Sequence, residues 1–147
     1  PMSARRQRQM CIRDSSKKKG IKIIYKSNHK GTISADLQAI ERIMDNLIDN
    51  AIKYSEKGSD ITISTVNDSD GYIKVMIKDN GEGIANEDIN HIFSRFYRTA
   101  SARATENHGS GLGLAIVKHL VNNLNGEVGI ESQPQKGSTF WFTVPCV

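Results

Sequence analysis

Apolar residues recur along this chain with two different periods, and the switches between them divide it into strands and helices. Ile21, Ile23 and Tyr25 alternate with polar neighbours, which predicts a short strand over residues 21–26 with those three on one face. Leu37, Ile40, Ile43, Met44, Leu47, Ile48, Ala51 and Ile52 then follow at steps of three and four, the pattern of an amphipathic helix buried along one stripe. Ser34 is placed as its N-cap, with Asp36 at the positive end of the helix, and Gly58 closes the region. Period two returns at Ile61, Ile63 and Thr65, a second strand, and residues 68–71 form a turn. A third strand carries Ile73, Val75 and Ile77 on one face and Lys74, Met76 and Lys78 on the other. Residues 86–96 are predicted as a short helix, and the polar, nonperiodic residues 99–108 as a mobile loop. Residues 110–124 form a second clear helix with Ile116, Val117, Leu120, Val121 and Leu124 inward. Residues 127–131 and 139–144 form a closing antiparallel pair turned by residues 133–137. There is no internal repeat, and the mixed order of strands and helices predicts one sheet with helices on one face.

Length and charge sharpen this picture. At 147 residues the chain has the size of one domain with one core, and 37% hydrophobic with 24% charged residues is ordinary for a globular protein. The net charge of +4 is unevenly placed. Residues 1–19 hold seven Lys or Arg and one acid, so +6, and the remainder holds 13 basic and 15 acidic residues, so −2. That basic leader lacks stacking aromatics and helical apolar periodicity, so we expect a disordered, solvated tail foreign to the domain and neither a nucleic-acid nor a membrane patch. Cys11 and Cys146 lie near opposite ends, which points to a reducing compartment and away from a disulfide framework or a zinc site. No apolar run approaches the roughly 18 residues of a membrane span.

The candidate chemistry lies in three places. Asn46, Asn50, Lys53 and Tyr54 form a polar stripe beside the apolar one on the first helix. Asp79 opens Asp79-Asn80-Gly81-Glu82-Gly83-Ile84 and keeps the phase of Ile73, Val75 and Ile77, so it points to the core side. A carboxylate there is costly unless satisfied, and the exocyclic amine of adenine is a suitable donor, with Gly81 and Gly83 letting the base approach the backbone. An Asn50 amide oxygen can complete the shell of Mg²⁺, which binds phosphates and keeps waters, and Lys53, nearly one turn on, can meet a phosphate as a point charge. Gly109, Gly111 and Gly113 open the second helix, where free N–H groups and the helix dipole favour phosphate. Each signal alone has a bland counterpart: an Asp-Asn-Gly turn, a solvated helix face, a glycine hinge. The Gly-x-Gly-x-Gly spacing and its context fit neither a dinucleotide fold nor a P-loop. Together the three places describe a site for a purine nucleotide with its metal and phosphates.

Their order and spacing carry a resemblance. DNLIDNAIKYS (Asp45 to Ser55), DNGEGI (Asp79 to Ile84), IFSRFYR (Ile92 to Arg98) and GSGLGLAIVK (Gly109 to Lys118) resemble the N, first glycine, F and second glycine boxes of bacterial sensor histidine kinases, and Gly137-Ser138-Thr139-Phe140 resembles the small closing box. The likeness spans about residues 20 to 145. It implies a Bergerat-type ATP-binding fold, an α/β (α+β) two-layer sandwich with a mixed, mostly antiparallel sheet, as the catalytic domain over residues 20–147. It also implies ATP and Mg²⁺ as cofactors. By position, Asp79 would contact adenine, Asn50 would bind Mg²⁺, Lys53 and Arg98 would contact phosphates, and Tyr54 and Ile84 would pack on the base. Residues 97–108, beginning at Tyr97, would form the lid. Gly109, Ser110, Gly111, Leu112, Gly113 and Leu114 would cradle the nucleotide, and Thr139 would complete the site.

Gyrase-type and chaperone-type relatives carry a water-activating Glu where this chain has Asn46, and an amide cannot take a proton at neutral pH. Asn46, Lys53 and Arg98 are therefore expected to serve phosphoryl transfer and not hydrolysis. None of His29, His91, His108 and His119 sits in the family's acceptor motif His-Asp/Glu-x-Arg-x-Pro. The expected partner is a separate dimerisation and histidine phosphotransfer domain, with a response regulator acting downstream. The domain itself is expected to be a cytoplasmic monomer without nucleic-acid or membrane contact. Two other readings stay open, a Ser/Thr protein kinase of the anti-sigma-factor type and a nucleotide-dependent binding module without transfer.

Overall fold

The computed structural model describes residues 20–97, 113–132 and 135–146. Five strands form one sheet: β1 (Lys22–Asn28), β2 (Asp60–Asn67), β3 (Tyr72–Lys78), β4 (Val128–Ser132) and β5 (Ser138–Pro145), in the order β1-β2-β3-β5-β4. The helices are α1 (Leu37–Tyr54), the single turn α2 (Asn86–Ile89) and α3 (Gly113–Asn123). The first two strands run parallel, which requires a crossover, and α1 supplies it. All other pairings are antiparallel, so the sheet is mixed and mostly antiparallel as expected.

Register explains which side chains meet. Ile77, Val75 and Ile73 of β3 oppose Phe140, Phe142 and Val144 of β5, and Ile63 of β2 opposes Ile77, so one face of the sheet is continuously apolar. Ile43, Leu47 and Ala51 of α1 and Val117 and Val121 of α3 are fully buried against that face. The opposite face carries Lys74, Met76, Lys78 and Trp141, with the Lys74 ammonium 4.5 Å from the centre of the Trp141 ring.

Several local expectations are corrected. Asp36, not Ser34, caps α1, its carboxylate accepting from Gln38 N at 3.1 Å. The cap must immediately precede the first turn, and a carboxylate also suits the positive helix end. Ser34 N instead donates to Pro145 O at 3.0 Å, tying the helix approach to the end of β5. At the other end, Ser55 Oγ donates to Ala51 O at 2.5 Å and satisfies a carbonyl of the last turn. The helix expected over residues 86–96 stops at Ile89, and the chain proceeds in turns to Phe96, which has φ of 63°. Of the apolar residues spaced as on a helix here, Ile92 is buried and Phe93 packs edge-on against Phe140 at 6.4 Å, whereas Phe96 is 70% exposed. Apolar period alone thus overstated this helix. Tyr25 keeps its inward phase on β1 but is 71% exposed, since β1 is an edge strand whose burial fades after Ile21.

Candidate functional site

Asp79 follows β3 directly and is 4% exposed, on the side predicted by its phase. Its backbone N–H donates to Ser138 O at 2.9 Å, extending the β3–β5 ladder by one bond. Its carboxylate receives Gly81 N at 3.0 Å and Ser138 N at 3.2 Å, both on Oδ1. Burial pushes the carboxyl above the ordinary aspartate range, and the two backbone N–H bonds only partly oppose this. With both bonds on one oxygen, Oδ2 is the oxygen with lone pairs to offer a donor.

The glycines beside it serve packing first. A Cβ at Gly81 would overlap the Tyr54 carbonyl oxygen and come within 3.2 Å of Asp79 Oδ1. The side a Cβ would take is filled by the end of α1, and Gly81 is what lets α1 and the Asp79 loop meet. Gly137 has φ of 83°, and a Cβ there would overlap the Asp79 carbonyl. Gly83, at φ of 75°, supplies a left-handed turn before Ile84.

Two serines that sequence reasoning missed complete this end. Ser132 Oγ accepts from Ile84 N at 2.7 Å, donates to Gly137 O at 3.1 Å and lies 2.9 Å from Ser138 Oγ. The Asp79–Ile84 loop, the end of β4 and the start of β5 are thereby joined through one hydroxyl. Ser138 was legible in principle: it stands two residues before Phe140, in the inward phase. Thr139 is corrected on the same ground. It opposes Lys78 and Glu131, on the sheet face away from Asp79, so strand alternation makes Ser138 the residue of this box on the site side.

The other end of the site is the polar stripe of α1. Asn46 and Tyr54 stand eight residues apart, about 12 Å along the helix. Tyr54 meets the Asp79 loop through its carbonyl, and its residue is 37% exposed. Asn46 lies beside the start of α3, its Oδ1 3.7 Å from where a Gly113 Cβ would stand. Between them, Asn50 is half-buried, and the Lys53 ammonium pairs with Asp49 Oδ2 at 3.1 Å. Ile84 and Leu114 pack partly buried against the core. Thus Asp79, Gly81, Ile84 and Tyr54 gather at one end, and Asn46 and Gly113 at the other. Tyr97 is turned toward α2: its hydroxyl donates to buried Asp88, and its ring lies 5.5 Å from that of His91. Arg98, Gly109, Ser110, Gly111, Leu112 and the loop expected at 99–108 lie outside the described residues, as does the leader 1–19.

Among the described residues, no group of three or more His, Cys, Asp or Glu could hold a metal ion, and no helix is long and apolar enough to cross a membrane. The Asn50 amide oxygen on α1, with Lys53 nearby, suits a cation that arrives with phosphates and keeps most of its own shell.

Comparison with known proteins bears on the family and the fold. Residues 35–147 match the sequence model of the histidine kinase-, DNA gyrase B- and HSP90-like ATPases. Sensor histidine kinase WalK of Bacillus subtilis is 40% identical over 114 residues, covering 77% of this chain and 19% of WalK. Sensor-like histidine kinase SenX3 of Mycolicibacterium smegmatis is 46% identical over 100 residues, 68% of this chain and 26% of that protein. The chain therefore spans about a quarter or less of these relatives. Among solved structures, full-length ShkA in complex with AMPPNP superposes with a TM-score of 0.81 at 28% identity, over 97% of this chain and 29% of that one.

Proposed function

The chain belongs to the histidine kinase-, DNA gyrase B- and HSP90-like ATPase family and is a catalytic domain of the sensor histidine kinase kind, and from this premise we propose that it holds ATP with Mg²⁺ and donates the γ-phosphoryl group to a histidine on a separate dimerisation and phosphoacceptor domain. A response regulator takes the phosphoryl group next, on the cytoplasmic side of a two-component system. The observation that carries the proposal is Asp79, a buried carboxylate with one oxygen saturated by backbone N–H groups and the other available to an amine. Adenine's exocyclic amine is the donor that such an acceptor selects.

In this reading the Asn50 amide oxygen would hold Mg²⁺, which when bound would supply neutralisation of phosphate charge. Lys53 meets a phosphate by leaving Asp49, an exchange that costs little because the pair is half-exposed. Asn46 stands beside the start of α3, where free N–H groups favour phosphate, and cannot remove a proton from water, so ATP is held for another nucleophile. Arg98 and the glycines at 109–111 belong to the phosphate end by their place in the boxes. Transfer then depends on in-line placement of an imidazole nitrogen against the γ-phosphorus.

The test supplies γ-labelled ATP to the domain, alone and with a dimerisation domain in trans. The expected result is slow hydrolysis and no self-labelling by the domain alone, with acid-labile, base-stable label on the added partner. Transfer in trans should be slow, because an untethered partner lacks the effective concentration, on the order of millimolar, that a short linker provides. Rapid self-labelling, or an acid-stable product, contradicts the proposal.

A further inference from the structure

Ser132 ends β4, and it holds Ile84 N, Gly137 O and Ser138 Oγ within hydrogen-bond distance of a single hydroxyl. Counting protons decides the direction of each bond. A backbone N–H can only donate, so Ile84 donates to Ser132. A carbonyl can only accept, so the single Ser132 proton goes to Gly137 O. A hydroxyl has one proton and two acceptor lone pairs. One lone pair takes Ile84 N–H, and the other can only receive the proton of Ser138. All three contacts are hydrogen bonds in one arrangement, with Ser138 as donor to Ser132.

This arrangement has a consequence for the site. Ser138 is 6% exposed, and its backbone N–H holds Asp79 Oδ1. With its proton committed to Ser132, the Ser138 hydroxyl has only lone pairs left to offer beside the carboxylate. A base that presents a donor there is matched, whereas a base that presents a carbonyl oxygen meets acceptors alone. We propose that Ser132 is a positioning residue that sets base selectivity, by holding the Ser138 hydroxyl so that the Asp79 end accepts a 6-amino purine and rejects a 6-oxo purine. The inference rests on the nucleotide reading given above. It assigns a role to a residue that reaches the base through another residue.

Calorimetric titration with ATP and with ITP, its 6-oxo counterpart, tests it on the parent, Ser132→Ala, Ser132→Thr and the double variant Ser132→Ala with Ser138→Ala. Removing the Ser132 hydroxyl frees the Ser138 proton to turn toward a 6-oxo group. The ATP-to-ITP affinity ratio should then fall about tenfold, the worth of one hydrogen bond. Ser132→Thr keeps the hydroxyl and should restore the ratio. The double variant has no hydroxyl to turn and should regain most of the parent's preference. Should Ser132→Ala fail to fold, Ser132→Cys, with its weak donor, carries the same readout. A purely structural role weakens both nucleotides equally and leaves the ratio unchanged, which overturns the inference and spares the ATP reading. A parent that binds no ATP overturns that reading itself, and the selectivity role with it.

Discussion

At the Asp79 end of the candidate site, the groups proposed to recognise the base are buried and already bonded to one another. Asp79, Ser138, Ser132 and Gly137 come from two loops and two strand ends, and backbone N–H groups and one hydroxyl hold them in register. At the α1 end, Asn50 is half-buried, and Lys53 is paired with a neighbour on its own helix. In the proposed function the first end is complete before a ligand arrives, and the second has groups that a phosphate would recruit. A base is neutral and flat and is best selected by a rigid edge. Phosphates bring charge and a metal, so loosely held side chains suffice. The cost of the first end is a buried carboxylate, and burial pushes the Asp79 carboxyl above its ordinary range.

The largest effect expected from breaking this contrast is at Asp79 itself. Asp79→Asn replaces an acceptor with an amide and loses a charge-assisted bond of roughly 1.5–3 kcal/mol, so ATP affinity should fall about 10- to 150-fold by calorimetry. Stability should move the other way. An aspartate whose folded pKa lies above its unfolded value favours the folded state most fully at low pH, and that contribution is lost as pH rises through the folded pKa. The ligand-free parent should therefore lose stability as pH rises from the ordinary aspartate range, and Asp79→Asn should lack that component in urea melts across pH.

Gly81→Ala should be next. Its methyl would meet the Tyr54 carbonyl, backbone that cannot rotate away, so the variant should lose about 1–3 kcal/mol in denaturant melts. An unchanged midpoint would mean that α1 and the Asp79 loop are not held together there. At the α1 end, Asn50→Ala should leave the melt near that of the parent yet weaken ATP binding in Mg²⁺ to the level the parent shows with a chelator. If the variant still responds to Mg²⁺ as the parent does, Asn50 is not the ligand. The smallest effect belongs to Asp49→Ala, which removes one ion-pair contact of Lys53. With both side chains more than a third exposed, the pair contributes at most about 0.5 kcal/mol of stability, and ATP affinity should stay within about twofold of the parent.

How far the site was legible in the sequence follows the same division. Strands β2 and β3, and the α1 stripe, could be read because a period of two or 3.6 reports burial directly, and Asp79 came with them by phase. What depended on contact between distant residues could not be read. That Gly81 also faces the Tyr54 carbonyl could not be read, because nothing local shows this close approach. Ser132 lies 48 residues from Ile84, and its bond appears only once the sheet is assembled. Thr139 is placed in the site by its box, although alternation from Phe140 sets it on the face away from Asp79. Residues 86–96 show the limit of periodicity itself: Ile89, Ile92, Phe93 and Phe96 keep a helical spacing, but only the first turn forms, and the Tyr97 hydroxyl folds the segment back onto Asp88.

The contrast between a finished base end and a recruited phosphate end is tested most directly by titrating the domain with adenosine and with ATP, each in Mg²⁺ and in chelator. Adenosine should bind weakly and equally in both conditions, because the Asp79 end needs no metal. ATP should bind more tightly than adenosine in Mg²⁺ and lose most of that advantage in chelator. Adenosine binding that depends on Mg²⁺, or ATP binding indifferent to it, would contradict the account.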